Sequence, residues 1–343
     1  SWLYLLKGLN SDLMAAKVTI VDVANRAGVS ISTVSRYLKD AGSINPVSSA
    51  KIDLAIRELN YVPNSFARNL KRGSADLIGV VEPDISQYFF SHTVKAVNNI
   101  LYQNGYMLLV CDSDFQPRKE QFLINRLIEQ NVSGILLATT GNNTEFLRKI
   151  SERFPNIVLF DREEESLSLD CVVEDNEENG YRLTKHLIDQ GGRRIAVLTG
   201  MSFVSSTRQR LAGICRAAEE AGIPLSAKDT YMNGTNTEII RANAVKILET
   251  GIYDTIIFTI PRSIYGIQSA LESQGMQIGR DILVGGWSNR DFVQQDGFQH
   301  PAILQDANRM GTTVANRILR RVNLKGEFLP SERIILETEL YIP

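Results

Sequence analysis

The chain has 343 residues, more than the roughly 250–300 at which one hydrophobic core stops growing, so we expect more than one domain. A composition of 43% hydrophobic and 22% charged residues with 24 glycines excludes collagen-like and wholly disordered proteins. The net charge of −2 is unevenly distributed, because residues 15–73 hold nine basic and four acidic side chains and the chain after Gly73 has a net charge of −7. A basic segment before an acidic body indicates a nucleic-acid-binding module joined to a domain with another task, although a solvated face gives the same charge.

The three cysteines and three histidines are scattered without the spacing of a disulfide framework or a metal site, so we expect no metal, no cofactor and a reducing compartment. Residues 1–16 are predicted to be a disordered extension or tag. Their apolar run, Trp2–Leu6, is too short for a signal peptide, and no other run is long enough to span a membrane. The sequence therefore predicts a cytoplasmic protein.

The first helix is predicted from a capping box, Thr19-Ile20-Val21-Asp22, in which the threonine hydroxyl is available to the amide of Asp22. Gly28 ends this helix. Its apolar residues recur at helical spacing and form one stripe of Ile20, Val23, Ala24 and Ala27.

Two more helices follow closely. Ser30 is placed to cap a second helix, with Val34 and Leu38 facing inward, and a third helix is predicted to follow Ser48 and to be closed by Tyr61. Three short helices with a tight glycine turn before the second indicate a helix-turn-helix DNA-binding domain over residues 17–62.

The order of residues within this segment resembles the lactose repressor family (LacI/GalR type), in the runs Val18–Ala24, Ala27–Ser30 and Thr33–Arg36. The resemblance continues through Leu59–Asn64 and Ala67–Leu70, and it implies a hinge helix and linker at residues 63–76. It also implies a ligand-responsive transcriptional regulator, a repressor of carbohydrate-metabolism genes, that binds a pseudo-palindromic double-stranded DNA operator as a homodimer. The effector would be a small molecule, a sugar or sugar derivative.

Arg36 is the first choice for reading a base, because its planar guanidinium can donate two hydrogen bonds to guanine. By resemblance, Ile31 and Ser32 also meet base edges, and Leu70 of the hinge helix acts as an apolar wedge in the minor groove. Residues at helix starts could hold phosphates or only cap their helices. The full set of predicted DNA-binding residues is Thr19, Ser30, Ile31, Ser32, Thr33, Ser35, Arg36, Ser48, Asn64, Ala67, Arg68 and Leu70.

After Leu77, short apolar runs alternate with amphipathic stretches in a βαβα order that occurs twice. Strands that are apolar on both faces predict parallel sheets covered by helices, and two such sheets form a cleft at their carboxyl ends. The predicted fold class is α/β: a three-helix helix-turn-helix domain and a body of two doubly wound parallel-sheet subdomains, which the resemblance makes periplasmic-binding-protein-like.

The family's topology divides this body into an N-terminal subdomain of residues 77–175 and 305–326 and a C-terminal subdomain of residues 176–304 and 327–343. The chain would cross between them near Asp175, Gln305 and Gly326.

Side chains that follow strands are the candidates for effector binding. Phe89 and Phe90 could stack on a sugar ring or a base, or fill the core. Asp112, Asp161 and Asp175 could accept sugar hydroxyls or cap helices.

Four further candidates come from the second half of the body. Arg210 matches the pocket arginine of the family. At two other places many members of the family have an acidic acceptor that this chain lacks, and here Arg262 and the pair Trp287-Ser288 occupy those places. The gain of Arg262 beside Arg210 favours an anionic or amide-bearing ligand such as a sugar phosphate or sugar acid, with Trp287 as the stacking platform.

Two other classes of protein are alternatives to a regulator. A sugar-capture protein of the periplasmic type would use the same cleft, but it needs a signal peptide and has no use for residues 18–72. An enzyme would need a GxSxG motif, a P-loop or a nucleophile beside a histidine, and the sequence has none of these. The residues up to Pro343 hold no heptad repeat, so we expect no assembly above the dimer.

Overall fold

The computed structural model describes residues 18–62, 75–293, 299–324 and 329–343. The chain divides into two compact units, Ser1–Gly73 and Ser74–Pro343. In the part of the chain that the structure describes, no helix is both long enough and apolar enough to cross a membrane.

Within residues 18–62, the N-terminal unit contains three α-helices, α1 (Ile20–Ala27), α2 (Ile31–Lys39) and α3 (Pro46–Glu58). Its core joins one fully buried residue from each helix, namely Val23, Val34 and Ile52. The glycine turn is confirmed, because Gly28 has a φ of 66°, in the left-handed region that glycine adopts without strain.

Both predicted caps of the first two helices are confirmed. The backbone N–H of Asp22 donates to Thr19 Oγ1 at 3.4 Å, and the backbone N–H of Thr19 donates to Asp22 Oδ2 at 2.8 Å. The backbone N–H of Thr33 donates to Ser30 Oγ at 3.2 Å. These bonds satisfy amide groups that have no partner within their helices.

The predicted start of the third helix is wrong. Asn45 is its N-cap, and Pro46 occupies the first helical turn, where its missing N–H costs nothing. Ser48 lies inside the helix, and its backbone N–H donates to Asn45 Oδ1 at 2.8 Å. A capping asparagine followed by proline is therefore the true start signal.

The predicted two sheets of the body are confirmed, and each has six strands among the described residues. The strands of the first sheet are β1 (Leu77–Glu82), β2 (Met107–Asp112), β3 (Gly134–Leu137), β4 (Ile157–Phe160), β5 (Asp170–Glu174) and β11 (Arg333–Leu336). Their order across the sheet is β11-β5-β4-β3-β1-β2, and all the strand pairs are parallel.

The strands of the second sheet are β6 (Ile195–Thr199), β7 (Thr230–Met232), β8 (Thr255–Phe258), β9 (Leu283–Asn289), β10 (Ala302–Gln305) and β12 (Glu339–Tyr341). Their order across the sheet is β12-β10-β9-β8-β6-β7, and only the β10–β12 pair among the described strands is antiparallel.

Helices cover both faces of each sheet, which explains why the central strands are apolar on both sides. The covering helices are α4 (Tyr88–Gln103), α5 (Pro117–Glu129), α6 (Thr144–Arg153), α7 (Asn176–Asp189), α8 (Ser205–Glu220), α9 (Thr237–Glu249), α10 (Ser263–Ser273) and α11 (Ala307–Asn323). The first sheet packs against α4 and α11 on one face and α5 and α6 on the other. The second packs against α9 and α10 on one face and α7 and α8 on the other.

The chain passes between the two sheets three times. It leaves the first sheet after β5 and returns after β10 to α11, which packs on the first sheet. The predicted third crossing near Gly326 is wrong, because β11 still pairs in parallel with β5 of the first sheet. The crossing lies between Leu336 and Glu339, where β12 joins the second sheet.

Candidate functional site

Helix α2 presents a polar face on the surface of the N-terminal unit. Val34 points into the core, while Ser32, Ser35 and Arg36 are exposed and Ile31 is 48% exposed. The helix thus offers one apolar side chain, two hydroxyls and a guanidinium on adjacent turns, which is the mixture that reads base edges in a major groove.

Arg36 differs from its neighbours in its electrostatic surroundings. Arg26 pairs with Glu58 at 2.6 Å, and Arg57 pairs with Asp53 at 2.5 Å. No carboxylate within the described ranges forms an ion pair with Arg36, so its guanidinium donors face solvent and are available to an anionic or acceptor-rich partner.

Six of the other eight predicted DNA-binding residues fall into two groups, and the remaining two, Thr33 and Ser48, are half-buried in α2 and α3. The hydroxyls of Thr19 and Ser30 serve as helix caps and are exposed, so capping and phosphate contact both remain open to them. Four predicted residues lie outside the described part of the chain: Asn64, Ala67, Arg68 and Leu70.

The body contains a cavity of about 710 Å³ between the carboxyl ends of the two sheets. The first sheet contributes the start of α4, Phe115 and the pair Asp161-Arg162. The second sheet contributes the loops after β6, β7, β8 and β9. Strand ends of doubly wound sheets are the usual place for a small-molecule ligand, and the volume falls in the usual range of roughly 300–1,000 Å³.

Arg210 lies at the base of this cavity and is 6% exposed. Its Nε donates to Asn176 Oδ1 at 2.8 Å, and its Nη1 donates to the Thr259 carbonyl at 2.6 Å. Its Nη2 lies 3.6 Å from Glu174 Oε2. Contacts on three sides fix the guanidinium and leave its orientation no freedom.

Burial shapes the ionisation of this pair. It lowers the pKa of Arg210, whereas it raises the pKa of Glu174 to about 7 although the arginine opposes that rise. Glu174 therefore titrates near neutral pH, directly behind the arginine that faces the cavity.

The close packing of α8 on α7 positions Arg210. Gly213, one turn after Arg210, has no room for a side chain, because a Cβ there would overlap the Glu177 carbonyl oxygen of α7. Gly180 of α7 is likewise pressed against the Arg210 backbone. Two glycines thus bring the helices close enough for Arg210 to reach Asn176.

A second arginine, Arg162, faces the cavity from the first sheet. Its Nε donates to Asp161 Oδ2 at 3.3 Å, and its Nη1 donates to the Thr139 carbonyl at 2.9 Å. The guanidinium lies 5.7 Å from the Phe90 ring centre and 5.3 Å from that of Phe115. These contacts bury the charge between a carboxylate and two aromatic faces.

The mouth of the cavity is bridged by two contacts between the sheets. Arg262 Nη1 lies 3.8 Å from Asp84 Oδ2, which belongs to the loop after β1. The Tyr88 hydroxyl at the start of α4 donates to Asp291 after β9. Burial and this carboxylate raise the pKa of Tyr88 to about 12, so the phenol keeps its proton and the donor role.

Six of the nine predicted effector-binding residues line the cavity, namely Phe89, Phe90, Asp161, Arg210, Arg262 and Ser288. Phe89 and Phe90 are 6% and 3% exposed and lie in the first turn of α4, which begins at Tyr88. They therefore fill the core of the first sheet and also border the cavity.

The other three do not line the cavity. Asp112 accepts from the backbone N–H groups of Ile85 and Asp114, at 3.0 and 2.7 Å, and so closes a loop. Asp175 is exposed and caps α7. Trp287 is fully buried among the residues between the second sheet and its helices α7 and α8, so it cannot be a stacking platform for the ligand.

Several cavity residues were not predicted from the sequence. Arg162 is adjacent to the predicted Asp161. The same argument could have predicted it, because both residues follow the end of β4. Asn233 follows β7, and Asn289 is the last residue of β9. Polar residues after apolar runs mark the carboxyl edge of the sheet at both places. Glu174, which contacts Arg210 but does not line the cavity, was also not predicted; it ends β5, a strand that the sequence did not predict.

Two family models match this chain. One, described as periplasmic binding proteins and sugar binding domain of LacI family, matches residues 75–339. The other, described as bacterial regulatory proteins of the lacI family, matches residues 19–64. The HTH-type transcriptional repressor PurR of Vibrio parahaemolyticus is 31% identical over 312 residues, which cover 90% of this chain and 92% of that relative. The HTH-type transcriptional regulator DegA of Bacillus subtilis is 29% identical over 331 residues, with 95% and 97% covered.

Solved structures show the same fold. The Lac repressor dimer bound to operator and the anti-inducer ONPF has a TM-score of 0.81 and 23% identity, over 94% of this chain and 97% of that one. The complex of the transcriptional regulator CelR with cellobiose has a TM-score of 0.69 and 21% identity, over 95% and 98%.

Proposed function

Because the chain belongs to the lacI family of bacterial regulatory proteins and is a ligand-responsive DNA-binding transcriptional regulator, we propose that it represses carbohydrate-metabolism genes. It would do so as a homodimer on a pseudo-palindromic operator, with a sugar or sugar derivative as effector. The observation that carries the effector part of this proposal is the cavity of about 710 Å³ with an immobilised arginine at its base.

The DNA contact is assigned to the exposed face of α2. Arg36, which has no ion pair within the described ranges, would donate to guanine, and Ile31 and Ser32 would meet neighbouring base edges. Ser35 and Thr33 lie on the same helix and would contact phosphates. Thr19, Ser30 and Ser48 would add backbone contacts near the starts of α1, α2 and α3.

The dimer is assigned to the outer edges of the two sheets. Each sheet has two terminal strands, β11 and β2 in the first and β12 and β7 in the second, and no described strand pairs with the outer sides of β2 and β7. Met107 and Val110 of β2 are 64% and 47% exposed, and Met232 of β7 is 58% exposed. Exposed apolar edge strands are commonly covered in native proteins, and a second copy would cover both. A relative of the same fold, the Lac repressor, is itself a dimer on its operator.

The effector is assigned to the cavity, with Asp161, Arg210 and Ser288 as hydrogen-bonding groups and Phe89 and Phe90 as the apolar wall. A relative of the same fold, CelR, binds cellobiose. We assign no catalytic step to this cavity, and we place the protein in the cytoplasm, where a regulator meets the chromosome.

The switch follows from the position of the cavity between the two sheets. A ligand that contacts both walls stabilises one arrangement of the sheets over another, and the energy difference is available to a dimer whose DNA affinity depends on that arrangement. The two bridging contacts, Tyr88 with Asp291 and Arg262 with Asp84, would form or break with it.

The test measures operator affinity of the full chain with and without a panel of sugars, sugar phosphates and sugar acids. One compound is expected to change the affinity at least about fivefold. The response should be lost in Arg210→Met and kept in Arg216→Met, an exposed arginine of the same helix that pairs with Glu177 and Glu178. A response that survives Arg210→Met would place the effector elsewhere.

A further inference from the structure

The charged side chains that line the cavity are unequal in number. Three guanidinium groups, those of Arg162, Arg210 and Arg262, border it within the described residues, and Asp161 is the carboxylate among them. Two other carboxylates, Glu174 beside Arg210 and Asp84 across the mouth from Arg262, are not part of the lining. The surface that a ligand meets is therefore richer in cations than in anions.

Two of the three arginines already have short bonds. Arg210 makes bonds of 2.8 and 2.6 Å, and Arg162 makes bonds of 3.3 and 2.9 Å. Both side chains are buried, at 8% exposure each. Each of these two guanidinium groups thus makes two hydrogen bonds to the protein that hold it in position.

Arg262 is different. Its Nη1 makes a hydrogen bond of 3.4 Å to the Thr235 carbonyl and lies 3.8 Å from Asp84 Oδ2, and its side chain is 34% exposed. Among the described residues, no hydrogen bond is made by its Nε or Nη2. Asp84 is itself held by the backbone N–H of Ser86 at 3.0 Å and by the Gln87 amide at 3.1 Å. The pair is too long for a hydrogen bond, so Arg262 keeps an unused planar set of donors.

A second donor lies on the loop after β7, whose Thr235 carbonyl accepts from Arg262. Asn233 lines the cavity, is 4% exposed, and stands two residues before Thr235. Its Oδ1 accepts from Asn243 Nδ2 at 2.9 Å, whereas its buried Nδ2 has no acceptor in the part of the chain that is described. A buried amide donor without a partner is unusual in a folded protein, and it indicates that a ligand atom completes it.

We propose that the effector carries an acidic group, a carboxylate or a phosphate, and that Arg262 and the Asn233 amide bind this group. The proposal rests on the proposed function, because it requires the cavity to be the effector site. The planar guanidinium matches the two oxygens of either acid, with charge-assisted bonds that the 3.8 Å contact to Asp84 does not supply. The aromatic side chains of α4 cover the remainder of the molecule.

The first experiment measures the melting temperature of the full chain in inorganic phosphate, in acetate and in chloride at equal ionic strength. We expect phosphate or acetate to raise the melting temperature of the parent protein above the chloride value. Arg262→Gln should respond as in chloride, whereas Arg208→Gln, an exposed arginine outside the cavity that pairs with Glu165 at 3.5 Å, should respond as the parent does. No response in the parent protein, or an equal response in Arg262→Gln, overturns the proposal.

The second experiment titrates glucose, gluconate and glucose 6-phosphate, and ribose with ribose 5-phosphate, against the same proteins and Arg210→Met. In at least one pair the acid should bind at least tenfold more tightly than the neutral sugar, and Arg262→Gln should abolish that difference; the pair also separates carboxylate from phosphate. Neutral sugars that bind as well as their acids, with loss only in Arg210→Met, would overturn the acidic group and leave the proposed function standing. Binding unchanged in both variants would overturn both.

Discussion

The guanidinium of Arg210 lies 4.7 Å from the ring centre of Trp287, on the side away from the cavity. Trp287 is fully buried and its Nε1 has no acceptor within the described ranges. The Trp287 ring therefore supports the Arg210 guanidinium from the side opposite the cavity. Trp287 affects ligand binding only through Arg210. A cation over an aromatic face is attracted to it, most strongly where water is excluded.

Replacement of Trp287 by leucine is expected to weaken effector binding although Trp287 does not touch the cavity. The loss should be about 0.5–2 kcal/mol, the worth of the lost cation–π contact, measured by calorimetry with the compound that shifts operator affinity most. Arg210→Met, which removes the arginine itself, provides the comparison for a direct contact. Unchanged affinity in Trp287→Leu would show that Arg210 holds its position without the ring.

Replacement of Arg36 by lysine should relax base discrimination more than it lowers total affinity. Lysine keeps the charge but loses the planar fork, so about 1–3 kcal/mol of preference at one base pair of each half-site should disappear. Binding to single-substitution operators measures this directly. Arg57→Lys, which changes an arginine paired with Asp53 on α3, should leave the preference intact.

Glu82 should make stability depend on pH. Its carboxyl group is fully buried, both oxygens lack donors among the described residues, and Asp112 faces it across the β1–β2 pair. Burial chiefly, with Asp112 and Asp84, raises its pKa to about 8. The folded chain thus keeps a proton that the unfolded chain loses near pH 4.5. The free energy of unfolding should fall as pH rises from about 4.5 to about 8, by up to about 1.4 kcal/mol per pH unit from this group.

The variant Glu82→Gln removes this titration. Urea unfolding at pH 6 and pH 8.5 should therefore show a smaller loss of stability for the variant than for the parent protein. The exposed Glu145→Gln of α6 should follow the parent protein. Parallel losses in the parent protein and Glu82→Gln would mean that Glu82 is already ionised at pH 6.

The Tyr88–Asp291 contact should appear as a coupling energy between the two walls of the cavity. Tyr88→Phe and Asp291→Asn each remove it, so the double variant should lose less stability than the sum of the single losses, by about 1 kcal/mol or more. Urea unfolding of the four proteins gives the value. The comparison is the same cycle with Tyr181→Phe and Glu220→Gln, which remove an exposed hydrogen bond between α7 and α8 on the second sheet. Simple additivity of Tyr88 and Asp291 would show that the contact does not hold the sheets together.

The sequence predicted the helix-turn-helix unit well because its information is local. The Thr19 and Ser30 caps, the stripe through Val23 and the turn at Gly28 each depend on residues within one or two helical turns. The start of α3 was missed because Ser48 resembles a cap as much as Asn45 does, and only the geometry distinguishes them.

The body was harder where direction and distance matter. In β9 every residue from Val284 to Asn289 is buried, so alternation does not reveal that Ser288 faces the cavity while Trp287 faces the core. The place of β11 beside β5 depends on a pairing across more than 150 residues, which no local pattern contains. Arg262 was found because it departs from a recognisable pattern, and the structure places it on the cavity wall.

The most direct test of the central claim measures the affinity of the full chain for a duplex selected from a random pool, against a scrambled duplex of equal length and composition at physiological salt. The account predicts a pseudo-palindromic selected sequence that binds at least about a thousandfold more tightly than the scrambled one, with both affinities falling steeply as salt rises. Equal affinity for the two duplexes would contradict it.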